Sequence, residues 1–358
     1  GGFVGVDVFF VISGYLITTI LIEDIENKRF SITNFYERRA RRILPAMVFV
    51  MTICLPFAWI LMSDVALSKF GNGLIGVSLF LSNLVFWRQQ GYFDESAELN
   101  PILHTWSLAV EEQYYVLFPI FFLLSWRLGK NRVFWMIVVM AAISLMLSEW
   151  GWRNNSIANF YLAPTRAWEL FAGSIAAFIV QKKGIQKNNS LALLGLLAII
   201  FSILFYDKNT PFPSLFALVP VLGVVLLVLY AQQETLAAKI LSSRAFVSIG
   251  LISFSAYLWH QPVFAFFRIY TNQISLDWFI ALVLIIVTFM LSYMSWRFVE
   301  KPFRTHNFSN KFSLFTLSIT SLILIFAFGF ASKQASIGAE YKLAKQLSQN
   351  DFVYFQNL

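Results

Sequence analysis

Apolar runs long enough to cross a bilayer as helices, roughly 17–25 residues each, recur from one end of the chain to the other. They fall at about 3–22, 43–62, 108–125, 133–148, 160–180, 190–206, 214–230, 246–270, 277–297 and 312–332. An eleventh piece, about 73–88 (GLIGVSLFLSNLVFWR), is shorter and is interrupted by glycine and serine. The pattern predicts an all-α, polytopic membrane protein.

The polar connectors set an expected topology. Lys and Arg crowd into 23–42 (six), 126–132 (three), 181–189 (three), 231–245 (two) and 297–311 (four), which is 18 of the 27 basic residues. The alternate connectors hold only Arg153, only Lys208, or none. Basic connectors stay on the cytoplasmic side, so these five are expected there. Stretches 23–42 and 126–132 then share a side, and one of the three apolar segments between them cannot cross. Segment 73–88 is expected to be that one, re-entrant or surface-lying, because irregular backbone survives at membrane depth only where protein covers it. About ten transmembrane helices remain, with both ends of the given chain outside.

Composition agrees: 58% of residues are hydrophobic and 13% charged, against about 25% charged in soluble domains. The net charge of +8 sits in short clusters between apolar runs, which fits topology and argues against nucleic acid as a partner. The single cysteine, Cys54, permits no internal disulfide. The chain opens on GGFVGVDVFF, with no methionine, basic n-region or cleavage site. It is expected to begin one helix after the natural N-terminus.

Ionisable groups inside apolar runs are costly and mark candidate sites. Asp7, in GVDVFFVISGYLIT, needs a partner from the arginine cluster or from another helix, and Gly14 two turns on would permit close helix approach. Arg38, Arg39, Arg41 and Arg42 fall within five residues. At i,i+3 and i,i+4 spacing they pair on shared helix faces, where guanidinium forks suit a phosphate. They equally suit a topological anchor or anionic lipid. In LHTWSLAVEEQYY, Glu111 and Glu112 point about 100° apart, so at most one faces a given site. His104 stands at that helix mouth as a possible base, and the carboxylates could instead decorate a solvated first turn. In APTRAWELFAG, Arg166 and Glu169 are i,i+3 neighbours able to neutralise each other. His260, in SFSAYLWHQPVF, is expected to be a satisfied packing residue, and WRFVEKPFR (Trp296 to Arg304) to be surface structure. With three histidines (His104, His260, His306) lacking HxxxH spacing, a metal site is not expected. These residues alone leave a transporter and a membrane enzyme equally open.

Six motifs in order resemble the acyltransferase-3 family of integral membrane acyltransferases, whose branches include bacterial O-antigen and peptidoglycan O-acetyltransferases. They are GVDVFFVISGYLIT, FYERRARRILPA, LHTWSLAVEEQYYVLFP, RAWELFAG, ISFSAYLWHQPV and WRFVEKPFR, spanning residue 1 to about 304. The resemblance implies transfer of an acyl group, usually acetyl, from cytoplasmic acetyl-CoA (acyl-CoA) to a hydroxyl of a cell-surface carbohydrate (O-antigen, peptidoglycan or exopolysaccharide). It places the chain in the bacterial inner membrane. It implies that the arginines hold the donor's phosphates, Arg39 and Arg42 in the more natural register and Arg38 and Arg41 in the other. Asp7 and Glu112 would orient the base or pair with the arginines, while His104 and Glu169 would line the cavity or position the acceptor. The family's proposed catalytic histidine precedes the GVD motif, where this chain has not yet begun, so the chain as given is expected to be inactive. Residues 305–332 read as an extra final helix and 333–358 as an extracytoplasmic linker. In the family branch with that helix an SGNH-hydrolase-like domain follows, and its GDS and DxxH signatures are absent here. The rival readings are a transporter or flippase of a lipid-linked sugar or small anion, and an inactive scaffold.

Overall fold

The computed structural model describes residues 2–89, 97–207, 210–305 and 310–356, with side chains as far as 334. Lys208 and His306 lie outside the described residues. In chain order the helices are α1 (Val4–Glu26), α2 (Ile32–Leu61), α3 (Asp64–Ser78), α4 (Ser82–Gln89), α5 (Thr105–Trp126), α6 (Lys130–Asn154), α7 (Ser156–Tyr161), α8 (Ala163–Lys183), α9 (Asn189–Phe205), α10 (Leu218–Tyr230), α11 (Leu236–Leu241), α12 (Arg244–Thr271), α13 (Trp278–Ser295), α14 (Lys301–Arg304) and α15 (Lys311–Gln356). Among the described residues six helices are long and apolar enough to cross a membrane, and two shorter apolar helices, α9 and α10, accompany them.

α6 shows why this is a membrane fold. Trp135, Val139, Ile143, Met146 and Trp150 recur at three- and four-residue intervals and are all exposed, while Ser144, Ser148 and Gly151 on other faces are buried. Water would not tolerate that apolar stripe, but hydrocarbon would. The polar groups turn inward to find partners: Ser144 Oγ donates to the carbonyl of Pro164 (2.6 Å) and accepts from the backbone N–H of Trp168 (3.0 Å), tying α6 to α8.

The chain divides into two compact units. Unit one comprises Gly1–Phe35 and Ser107–Leu251, and unit two comprises Tyr36–Trp106 and Ile252–Leu358. In unit one the most extensive packing is α1 on α8, followed by α10 on α9 and α6 on α8. At the α1–α8 crossing the two backbones touch. A Cβ at Gly14 would sit 1.8 Å from the Leu170 carbonyl oxygen, and one at Gly173 would sit 1.9 Å from that of Val11. Small residues at a crossing are what bring helices together in lipid, as the sequence suggested for Gly14. Val11, Trp168, Ala217, Val221 and Val224 form a buried apolar cluster beside it.

In unit two the segment around 73–88 falls on two helices. It is not one piece: its first part is the end of α3, which starts at Asp64 with Ser63 as its N-cap, and its second part is the short α4. α3 packs lengthwise on α15, the two backbones meeting where Gly71 faces Gly329. In the WRFVEKPFR segment Arg297, Phe298, Lys301 and Arg304 are exposed as expected, and the correction concerns Glu300. α13 runs through a π-helical turn, Trp296–Glu300, into α14, and Glu300 is buried instead of lying on the surface. Its carboxylate accepts from the Ser255 hydroxyl and from Arg304 Nη2 (2.6 Å).

Candidate functional site

The α1–α8 crossing in unit one carries an ionic triad. Arg166 Nη2 lies 3.2 Å from Asp7 Oδ1 on α1 and 3.2 Å from Glu169 Oε2 one turn along α8. The three side chains are 1%, 0% and 0% exposed. The guanidinium also sits among the rings of Phe10, Phe160 and Phe212, 5.6–5.9 Å from their centroids, an aromatic surround that favours a buried cation. Thus Asp7 finds its partner on another helix and not in the arginine cluster, and the i,i+3 pairing of Arg166 with Glu169 is present as the spacing suggested.

Farther along α1, Ser13 donates its hydroxyl to Glu111 Oε1 of α5, and the Tyr115 hydroxyl donates to the same carboxylate and lies 3.1 Å from Ser13 Oγ. Tyr114 and Ser174 share a 2.7 Å hydrogen bond between α5 and α8. Sequence reading chose Glu112 from the adjacent pair. Here Glu111 is the fully buried member of the Ser13–Tyr115 network, and Glu112 is half-buried on another face of α5. The signal that could have found Glu111 is its i,i+4 spacing from Tyr115. An apolar cleft of about 520 Å³ between α5, α6 and α8, lined by Gln113, Tyr114, Phe118, Met140 and Phe171 among others, presents no charged side chain.

In unit two the four arginines of α2 have different environments. Arg41 is buried. Its Nε and Nη2 bind Glu37 Oε1 at 3.0 and 2.9 Å, and its Nη1 reaches the Phe303 carbonyl at 3.4 Å. The other Glu37 oxygen meets Lys311 Nζ at 3.2 Å. Arg41 therefore braces α2 against the segment around α14 and α15. Arg38 is exposed, whereas Arg39 and Arg42 are half-buried and share a helix face at i,i+3 spacing. Arg304, steadied by Glu300, is close enough to Arg42 for the two positive charges to repel.

The third cluster, also in unit two, surrounds His104 at the turn into α5. Its ring lies 5.2 Å from that of Tyr257 and 5.3 Å from that of His260, both on α12. Burial, reinforced by the neighbouring His260, holds the His104 pKa well below the ordinary histidine value, so its imidazole is neutral. His260, read from sequence as a packing residue, is the second imidazole of this cluster. No group of three or more metal-ligating side chains occurs among the described residues.

Comparison with known proteins adds to this geometry. The model of an acyltransferase domain, the acyltransferase-3 type, matches residues 1–297. The O-acetyltransferase OatA of Staphylococcus aureus (strain NCTC 8325 / PS 47) is 31% identical over 324 residues, covering 86% of this chain and 53% of the relative. The peptidoglycan O-acetyltransferase OatA of Listeria monocytogenes serovar 1/2a is 30% identical over 335 residues, covering 88% and 53%. The chain thus spans about half the length of the curated relatives it matches. No solved structure matches it. The family match takes in α1 with its Asp7, the arginines of α2, His104 and the α8 triad, and on that basis the chain belongs to the acyltransferase-3 family of integral membrane acyltransferases.

Proposed function

We propose that this chain is the membrane domain of an O-acetyltransferase that takes acetyl from cytoplasmic acetyl-CoA and delivers it to a hydroxyl of a cell-envelope glycan, with peptidoglycan the acceptor class indicated by its relatives. The observation that carries the reading is family membership over residues 1–297. The state of the arginines supports it further. Arg41 is committed to Glu37, while Arg39 and Arg42 share one face of α2, with Arg304 adding like charge beside Arg42. Guanidinium groups gathered on one helix face are what a diphosphate or a 3′-phosphate would occupy. Arg39 and Arg42 are thus the donor-binding pair, and Arg41 a structural brace. Asp7 and Glu169, locked to Arg166, act as positioning residues that fix α1 against α8. His104 belongs to the acceptor side, and Glu111 in place of Glu112 is the α5 carboxylate that ties α5 to α1.

Charge-assisted hydrogen bonds contribute about 1.5–3 kcal/mol each, so Arg39→Ala and Arg42→Ala should each weaken acetyl-CoA binding about 10- to 100-fold. Calorimetry on the detergent-purified full-length protein reads this directly. Unchanged affinity in the double variant would remove these arginines from the donor site, and transport of a sugar or anion in the absence of acyl donor would favour a carrier over an enzyme.

A further inference from the structure

The apolar cleft of unit one has a definite depth. Its α5 wall runs from Val110 to Phe121, eleven positions along the helix, which at 1.5 Å per residue is about 16 Å. A hydrocarbon core is about 30 Å thick, so the cleft is as deep as one leaflet. Below it three rings close the gap between the same helices. Phe178 of α8 meets Phe122 of α5 at 6.0 Å and Phe134 of α6 at 5.7 Å. The α8 wall, Ala163 to Phe171, is the half of that helix remote from the basic connector 181–189, and Val110 lies far from the connector 126–132. The leaflet in question is therefore the one expected on the extracytoplasmic side.

The lining narrows the class of occupant. Only Gln113 and Tyr114 among the lining side chains carry nitrogen or oxygen, and the Tyr114 hydroxyl is bonded to Ser174. A sugar or a nucleotide would lose its hydrogen bonds to water there and regain few of them. Water gains no more, since apolar cavities stay dry, and an empty cleft forfeits the dispersion contacts of its walls. The helices do not close the gap themselves. Phe171 of α8 stands against Tyr114 and Phe118 of α5 at 6.0 and 6.2 Å, so α5 and α8 meet here through rings. The cleft is continuous with the lipid-facing surface. Leu117 at its edge is 66% exposed, and Met140 on the α6 wall adjoins Val139 and Ile143 of the exposed apolar stripe.

We propose that the cleft between α5, α6 and α8 is a binding site for one acyl tail of a phospholipid in the extracytoplasmic leaflet. The tail enters from the bilayer beside Leu117, lies along the α5 wall and stops at the three rings. Its place beside α8 gives it a structural consequence. Ala167 and Leu170 line the cleft, while Arg166 and Glu169 of the same turns hold the ionic triad with Asp7. The Leu170 backbone is also the point on which Gly14 of α1 closes. A tail in the cleft supports α8 on the flank that α1 does not cover.

The test uses the full-length protein in nanodiscs of phosphatidylglycerol containing a trace of the same lipid with a diazirine on one acyl tail. After irradiation and digestion, labelled peptides are mapped by mass spectrometry. The proteins compared are wild type, Ala167→Phe, Ala167→Trp and Leu204→Phe, the last on the exposed side of α9. In wild type we expect label concentrated on 110–121 and 163–171 over the α6 stripe at Val139 and Ile143. Leu204→Phe should give the same map, and both Ala167 variants should lose label from those two segments while keeping it on the stripe. Label no denser in the cleft than on the stripe would mean ordinary boundary lipid and overturn the proposal, and the wild-type map decides this even if an Ala167 variant does not fold. Undiminished cleft label in folded Ala167→Phe and Ala167→Trp also overturns it. So does displacement of the wild-type label by a polyprenyl phosphate, which would give the cleft to an isoprenoid chain. Crosslinks between two protein copies through 110–121, with no lipid label there, would give it to a second copy instead.

Discussion

Removing Arg166 would leave Asp7 and Glu169 facing each other in a region where neither is measurably exposed. Breaking a buried ion pair by deleting one partner costs about 3–5 kcal/mol, because the remaining charge has no water to turn to. Arg166→Ala should therefore lower the thermal midpoint sharply in detergent. Glu169→Gln is the informative contrast. The amide keeps the size of the side chain and an oxygen for Arg166. That variant should stay within about 1 kcal/mol of wild type and still lose activity if Glu169 positions the site. A Glu169→Gln protein as unstable as Arg166→Ala would show that the Glu169 carboxyl is itself structural. The Arg166–Glu169 half of this triad could be read from its i,i+3 spacing. The Asp7 half could not, since its partner lies 159 residues away and the sequence offered the arginine cluster as an equal candidate. Which of Glu111 and Glu112 meets α1 was illegible for a related reason: adjacent helix positions differ by about 100°, and nothing local says which direction faces α1.

At the level of elements, the crossing of α1 and α8 depends on two glycines. Gly173→Ala places a methyl group 1.9 Å from the Val11 carbonyl oxygen. The helices must separate, and the strain of overpacking is typically about 1–3 kcal/mol. The same separation lengthens the Asp7–Arg166 contact, so Gly173→Ala should lower both the thermal midpoint and activity, although it touches no ionisable group. A Gly173→Ala protein with wild-type stability would mean that α1 and α8 do not approach this closely. Most helices were legible as apolar runs because each must present its own hydrophobic surface to lipid, whatever its neighbours do. What stayed illegible falls where a neighbour decides. Segment 73–88 reads as a non-spanning piece, and what the sequence did not show is that α3 borrows an upstream start with its own cap and is covered by α15. The WRFVEKPFR stretch looked like a charged surface end, yet Ser255 and Arg304 take up the Glu300 carboxylate inside the unit. That His260 lies beside a second imidazole was illegible because His104 stands 156 positions earlier.

For the whole molecule the open quantity is the number of crossings, and α9 and α10 bear on it beside the six long apolar helices. At 17 and 13 residues and 1.5 Å per residue, they reach about 25 and 20 Å, short of a hydrocarbon core about 30 Å thick. The flanking basic connectors, 181–189 and 231–245, are expected on one side whether this pair crosses twice or not at all, so charge counting is blind to the difference. Composition favours crossing: Leu194, Leu197, Phe201, Leu204 and Phe205 are exposed along α9 and suit only lipid. Helices this short can still span by thinning the bilayer locally, at fractions of a kcal/mol per Å. A membrane-impermeant maleimide on intact cells separates the cases, and the buried native Cys54 contributes little background. Asn154→Cys and Gln273→Cys should label from outside, and Arg127→Cys and Lys182→Cys only after permeabilisation. Asp207→Cys, at the tip between α9 and α10, should label from outside if the pair crosses. Labelling of Asp207→Cys only after permeabilisation would make the pair a cytoplasmic hairpin, reducing the crossings by two while every other connector keeps its side.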